Sequence, residues 1–192
     1  MRGARVRPAR APRVASGGGH QPGETLAYGD AISRAADYLR ASQNADGSWD
    51  GAWGVAYLYG TMFGVRGLRA AGASASDPAI RRALQFVVKH QRDDGAWSES
   101  WRACLEDRYV QGEQPHPTQT AWAMLTLAEG LGGDADAKTS EFESALERGA
   151  QALRDLQIDG DWGSPMMSGV FFRTALMDYR LYRRFFPVWA LA

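Results

Sequence analysis

Apolar side chains recur at helical spacing in three stretches of the chain: Ile32, Ala35, Ala36 and Leu39; Ile80, Ala83, Leu84, Val87 and Val88; Phe142, Ala145, Leu146, Gly149 and Leu153. Separations of three and four residues place such positions on one face of an α-helix, so each stretch predicts a helix with one buried side. Asp77 before Pro78 gives the second of these an N-cap and a first-turn proline. The segments between them differ. Residues 52–68, 118–131 and 169–191 are apolar or aromatic around most of their circumference, which in a helix demands cover on more than one side. Strands are hard to find, because β-branched runs of period two are missing. One-sided helices alternating with apolar ones predict αα-hairpins in two layers, polar-faced helices outside and apolar ones inside: an all-α fold, part of an α/α toroid.

The three one-sided helices belong to an internal repeat, RAADYLRASQNADGSW (34–49), RALQFVVKHQRDDGAW (82–97) and RGAQALRDLQIDGDW (148–162). Each copy ends its helix at a glutamine and turns through glycine to tryptophan: Gln43, Gly47 and Trp49; Gln91, Gly95 and Trp97; Gln157, Gly160 and Trp162. Such self-similarity marks a stacked architecture in which each unit covers its neighbour. The third copy is one residue short, which predicts a looser corner there.

Composition narrows the partners. With 192 residues, 45% of them hydrophobic, one globular unit is expected. The 22 basic and 22 acidic side chains cancel, so no global field favours nucleic acid. The first 20 residues carry five arginines, no acid and few large apolar side chains. They cannot build a core, and no apolar run follows to make a secretory signal. Residues 1–26 are therefore expected to be a disordered tail or a misassigned start, and 27–192 one domain. No stretch of 18 apolar residues is present to span a bilayer. The single Cys104 cannot form an internal disulfide. Cys104, Asp107 and His116 match no compact zinc spacing, and Pro115 and Pro117 bracket the histidine, so a surface loop is expected and no metal. His90 ends an outer helix, where the helix dipole favours a cation. Neither GxSxG, a P-loop nor a GxGxxG before a strand occurs, and no cofactor is expected.

What remains is aromatic. Trp53, Tyr57, Tyr59 and Phe63 crowd one inner segment, and Phe171, Phe172, Tyr179, Tyr182, Phe185 and Phe186 the last. Stripes of rings on helices ordinarily pack cores. A cavity lined by them is also apolar with negative π-faces, and can hold a carbocation without supplying a nucleophile to quench it.

The three Gln-Gly-Trp turns resemble the QW motifs of squalene/oxidosqualene cyclases, and so do DGSWDGAWGVAYLYGTMF (46–63), RYVQ (108–111), TQTAWAMLTL (118–127) and the ending GVFFRTALMDYRLYRRFFPVWAL. The resemblance runs from about Ala31 to Leu191 and concerns the family's C-terminal portion. The GVF, RYVQ and FPVWAL strings look closer to oxidosqualene cyclases than to squalene–hopene cyclases. By position, the resemblance implies that Trp53 lines the family's cavity, Tyr59 stands near its entrance, Phe171 stabilises cyclisation cations, and Tyr179 and Tyr182 line or support the same space. It further implies a triterpene-forming isomerase on squalene or 2,3-oxidosqualene, without metal or cofactor, attached to one membrane leaflet on the cytoplasmic side.

Departures from that family are equally informative. Its reaction begins with the central Asp of a DCTAE or DxDD motif, and this sequence contains neither. No catalytic residue is therefore assigned, and the chain is expected to be inactive alone or to act with an N-terminal cyclase half as partner. Asp178 replaces a serine common in relatives. Read on a helical face shared with Phe171 and Tyr182, it is either an acid or, as preferred here, the ion-pair partner of an arginine such as Arg183. The alternatives are a non-enzymatic toroid module that binds a lipid or protein, and a prenyltransferase-like toroid, whose zinc ligand set is absent.

Overall fold

A computed structural model describes residues 28–163, 167–171 and 175–192. The expected tail, 1–26, and Phe172 lie outside the described residues. Among the described residues seven helices dominate: α1 (Tyr28–Ser42), α2 (Ala56–Ala70), α3 (Pro78–Lys89), the short α4 (Ala103–Glu106), α5 (Pro117–Leu131), α6 (Ser140–Asp155) and α7 (Tyr182–Leu191). Between α6 and α7, strands β1 (Gly169–Phe171) and β2 (Ala175–Met177) pair antiparallel, with Gly169 opposite Met177 and Phe171 opposite Ala175.

Helix α5 is the centre, packed against α2, α3, α6 and α7. Apart from Ala128 and Glu129 its residues are all buried, as its apolar circumference requires. Helices α3 and α6 are one-sided as the periodicity predicts. On α3, Ile80, Ala83, Leu84 and Val87 are fully buried, and on α6, Phe142, Ala145, Gly149 and Leu153 are buried. Each completely covered Leu, Ile or Val contributes about 1.5–3 kcal/mol of transfer free energy. Asp77 caps α3 by accepting from the Ala79 amide at 2.8 Å, and Thr139 caps α6 through the Phe142 amide. Helix α1 departs from the pattern, because Ala36 is its one buried residue and Ile32 is 50% exposed.

Two inner segments are also shorter as helices than the sequence predicts. Helix α2 begins at Ala56 because the residues before it are extended: Val55 donates to the Ser168 carbonyl, and the Val170 amide donates to the Trp53 carbonyl, each at 3.0 Å. Those same bonds correct the reading of 169–191 as a single helix. Its first part spends its backbone groups on β2 and on the Gly54–Val55 segment, and only from Tyr182 does the chain become helical. Asp178 and Phe171 therefore do not share a helical face. The remaining expectation for Asp178 holds, since it accepts from Arg183 at 2.8 Å.

Candidate functional site: an aromatic wall on a repeated frame

The frame is set by the glycine–tryptophan turns. Trp49, Trp97 and Trp162 are all buried, and each indole N–H donates back to its own helix: to the Leu39, Val87 and Leu153 carbonyls at 2.8, 2.7 and 2.8 Å. The glutamines at the first two corners reach forward. Gln43 Nε2 donates to the Gly47 and Ala79 carbonyls, and its Oε1 accepts from Arg82. Gln91 repeats this with Gly95, Ala145 and Arg148. Gln43 thus ties the end of α1 to the start of α3, and Gln91 the end of α3 to α6. Gly47 and Gly95 have positive φ, and a methyl there would stand 2.4 and 2.7 Å from the Arg82 and Arg148 carbonyl oxygens. At the third corner Gln157 is exposed and a methyl on Gly160 would meet nothing within 4 Å.

Behind this frame stand the rings. Tyr59 lies edge-on to Trp122 with centroids 5.1 Å apart, Trp122 to Tyr182 at 6.2 Å and to Phe186 at 5.7 Å, and Tyr179 against Tyr182 at 4.7 Å. Trp53 and Phe171 form a separate stacked pair at 5.1 Å. Two glycines knit the groups together. Gly54 and Gly169 are bridged backbone to backbone, the Tyr59 ring covers Gly54 and the Tyr179 ring covers Gly169, so that a methyl would stand 2.2 or 2.1 Å from ring carbons. The five rings singled out by sequence thus fall into two groups that meet at the Gly54–Gly169 bridge. Trp122, fully buried at the centre of their network, was missed; its signal was its place in the helix TQTAWAMLTL, apolar on every side.

Burial raises the phenol pKa of Tyr59 and of Tyr182, with neighbouring tyrosines adding to the effect, so these rings stay neutral. Such rings offer π-faces and protonated hydroxyls. A half-open cavity of about 1120 Å³ adjoins them, lined by Trp49, Asp50, Tyr57, Tyr59, Phe63 and Asp107 among others, so that carboxylates stand beside the rings. Of the five predicted rings, Tyr59 is the one in its described lining; Trp53, Phe171, Tyr179 and Tyr182 stand outside it.

Burial governs three ionisable groups, and two of them, His116 and His90, depart from the sequence reading. Glu99 is buried and caps α2, its carboxylate accepting from the Tyr57 amide at 3.0 Å and the Leu58 amide at 2.9 Å. Desolvation drives its pKa up to about 7 against the pull of these backbone donors. Nothing in the string WSES marks it out. His116 lies buried rather than in a surface loop, and its Nδ1 accepts from the Gln119 amide at the start of α5; burial pushes it down to about 4, so the imidazole is neutral. His90 does end α3, but it packs between Phe86 and Tyr109 and burial lowers its pKa, so the expected helix-end cation is not formed. Among the described residues no group of three or more His, Cys, Asp or Glu is placed to hold a metal ion, and no helix is long and apolar enough to cross a membrane.

Comparison with known proteins gives the geometry its context. A family model, the squalene-hopene cyclase C-terminal domain, matches residues 23–192. The chain is 43% identical over 172 residues to squalene–hopene cyclase of Alicyclobacillus acidocaldarius, covering 87% of this chain and 26% of that protein. It is 41% identical over 162 residues to cycloartenol synthase of Dictyostelium discoideum and 35% identical over 167 residues to human lanosterol synthase, covering 84% of this chain and 22% of each of those proteins. The chain thus spans about a quarter of the length of these relatives.

Proposed function

The chain belongs to the squalene–hopene cyclase C-terminal domain family, and from that premise we propose that it is the C-terminal part of a triterpene cyclase, supplying one aromatic wall of a cyclisation cavity. The helical hairpins are read as part of an α/α toroid, the outer helices α1, α3 and α6 enclosing α2, α5 and α7. The observation that carries the reading is the continuous ring network of Tyr59, Trp122, Tyr179 and Tyr182, flanked by the Trp53–Phe171 stack. Neutral rings attract a cation by about 0.5–2 kcal/mol each when desolvated, and they offer it no nucleophile. The substrate is 2,3-oxidosqualene or squalene. Its polycyclisation is an isomerisation: a proton enters to open the epoxide or alkene, carbon–carbon bonds form from the alkenes, and a proton leaves.

The initiating acid is the part this chain does not supply. Asp178 is held by Arg183, and Glu99 is spent on the α2 amides. Because the sequence contains neither DCTAE nor DxDD, the acid is assigned to an N-terminal cyclase portion, and the assembled enzyme rests on the cytoplasmic face of a membrane, drawing its lipid from one leaflet. Exposed Phe185, Val188 and Leu191 on α7, with Leu181 before it, support such attachment. The test is incubation of the purified chain with 2,3-oxidosqualene and with squalene, alone and with the upstream portion of a relative, followed by mass spectrometry. Triterpene from the mixture and none from the chain alone is expected. Triterpene from the chain alone would overturn the assignment of the acid, and none from either would favour the module that binds a lipid without converting it.

A further inference from the structure

We infer that His116, Ser168, Asp178 and Arg183 enclose a binding site for one small polar ligand, a water molecule held where the start of α5, the β1–β2 pair and the first turn of α7 meet. The inference does not depend on the cyclase reading.

Buried polar side chains are almost always hydrogen-bonded, so an unpartnered one calls for a bound ligand or an ordered water. Among the described residues four buried side-chain atoms have no hydrogen-bond partner: His116 Nε2, Ser168 Oγ, Arg183 Nε and Trp122 Nε1. Trp122 belongs to the ring network. The other three belong to residues that are 4%, 1% and 9% exposed, and the fold gathers them. The Ser168 amide donates to the Met177 carbonyl at 3.1 Å, which sets Ser168 beside the end of β2 and Asp178. Arg183 Nη1 donates to Asp178 Oδ2 at 2.8 Å. The His116 ring lies against the backbone of Met167, the residue before Ser168, and within the field of the Asp178 carboxylate; both favour its charged form against burial. Neither gives Nε2 a hydrogen bond of ordinary geometry.

Donors and acceptors decide what binds. His116 Nδ1 accepts from the Gln119 amide, so the neutral ring carries its proton on Nε2 and presents a donor. Arg183 Nε–H is a second donor, and the Ser168 hydroxyl can either donate or accept. Two N–H groups, one of them cationic, repel a metal ion. An anion would face the Asp178 carboxylate, which already neutralises Arg183. A water molecule fits: it accepts from His116 Nε2 and Arg183 Nε and donates to Ser168 Oγ and to the Asp178 carboxylate, which is its full complement of four bonds. The ligand then joins three elements through residues next in sequence to Tyr179 and Tyr182, and so steadies the backbone from which those rings project.

The test is nuclear magnetic resonance on the full ¹⁵N-labelled chain, with His116 assigned by the loss of its signals in His116→Gln. At neutral pH the ring is expected to be the Nε2–H tautomer, its Nε2 proton slow enough in exchange to be observed and in dipolar contact with the water resonance. That contact is expected to survive Ser168→Ala, which removes the hydroxyl that could relay it, and to be unchanged when sulfate replaces chloride or when bromide is added. An Nδ1–H tautomer, an Nε2 proton lost to rapid exchange, or an observable proton without water contact overturns the inference. So does a contact that disappears in Ser168→Ala, since it then came from the hydroxyl, or a His116 signal that moves with chloride or bromide, since the ligand is then an anion.

Discussion

The second and third corners of the frame are built from the same words and end differently. At Gln91 one side chain spans three partners, joining the Gly95 turn to Ala145 and Arg148 on α6. Its neighbour Trp97 is completely buried, and Glu99, two residues on, locks the start of α2 while its backbone is held by Gln119 at 2.6 and 3.1 Å. At Gln157 the tryptophan is buried and bonded to Leu153, yet the glutamine is exposed and Asp159 takes up a left-handed conformation (φ 51°) in the shortened turn. Tryptophan alone is thus enough to close a helix onto its own turn. Linking one hairpin to the next requires the glutamine at full spacing and an alanine–arginine receptor opposite it.

The largest effect that could break this contrast is Trp97→Ala, expected to cost about 3–5 kcal/mol by emptying an enclosed indole site and leaving the Val87 carbonyl without that donor; chemical denaturation midpoints measure it, and an unchanged midpoint would deny the corner its role. Gln91→Ala is expected to cost about 2–3 kcal/mol, because Arg148 loses a partner and the Ala145 and Gly95 carbonyls each lose a donor. Cooperative unfolding of α6 at lower denaturant, followed by hydrogen exchange, would accompany it.

Glu99 sharpens the contrast through pH. Its folded-state pKa is raised, so between the ordinary carboxylate value and about 7 the folded chain holds a proton that the unfolded chain has released. Its contribution to stability therefore falls as pH rises through that window and is level on either side. Glu99→Gln should flatten the slope, as read from unfolding midpoints at a series of pH values. The smallest effect is expected at the third corner: Gln157→Ala should change stability by less than about 0.5 kcal/mol, as for an exposed surface position. A loss there as large as at Gln91 would mean that the two corners are not different after all.

Several parts of the site had no local signal. Trp122 becomes the hub of the ring network because α5 is surrounded by four helices, which its own sequence states only as general apolarity. His116 reads as a surface-loop residue and Glu99 carries no signal at all, yet both are buried because α2 and α5 each need their first amides satisfied where water is excluded.

The sequence by itself determined the α3 and α6 faces, the Asp77 cap of α3, the three tryptophan turns and the family, since each depends on residues within a few turns of one another or on a repeated string. Only the tertiary structure decided that 169–171 and 175–177 pair as strands rather than forming helix, that Gly54 and Gly169 must be glycine, and that α1 keeps a face uncovered among the described residues. Backbone hydrogen bonds and apolar cover can be supplied from distant parts of the chain, and local spacing records the need for a partner without recording which segment meets it.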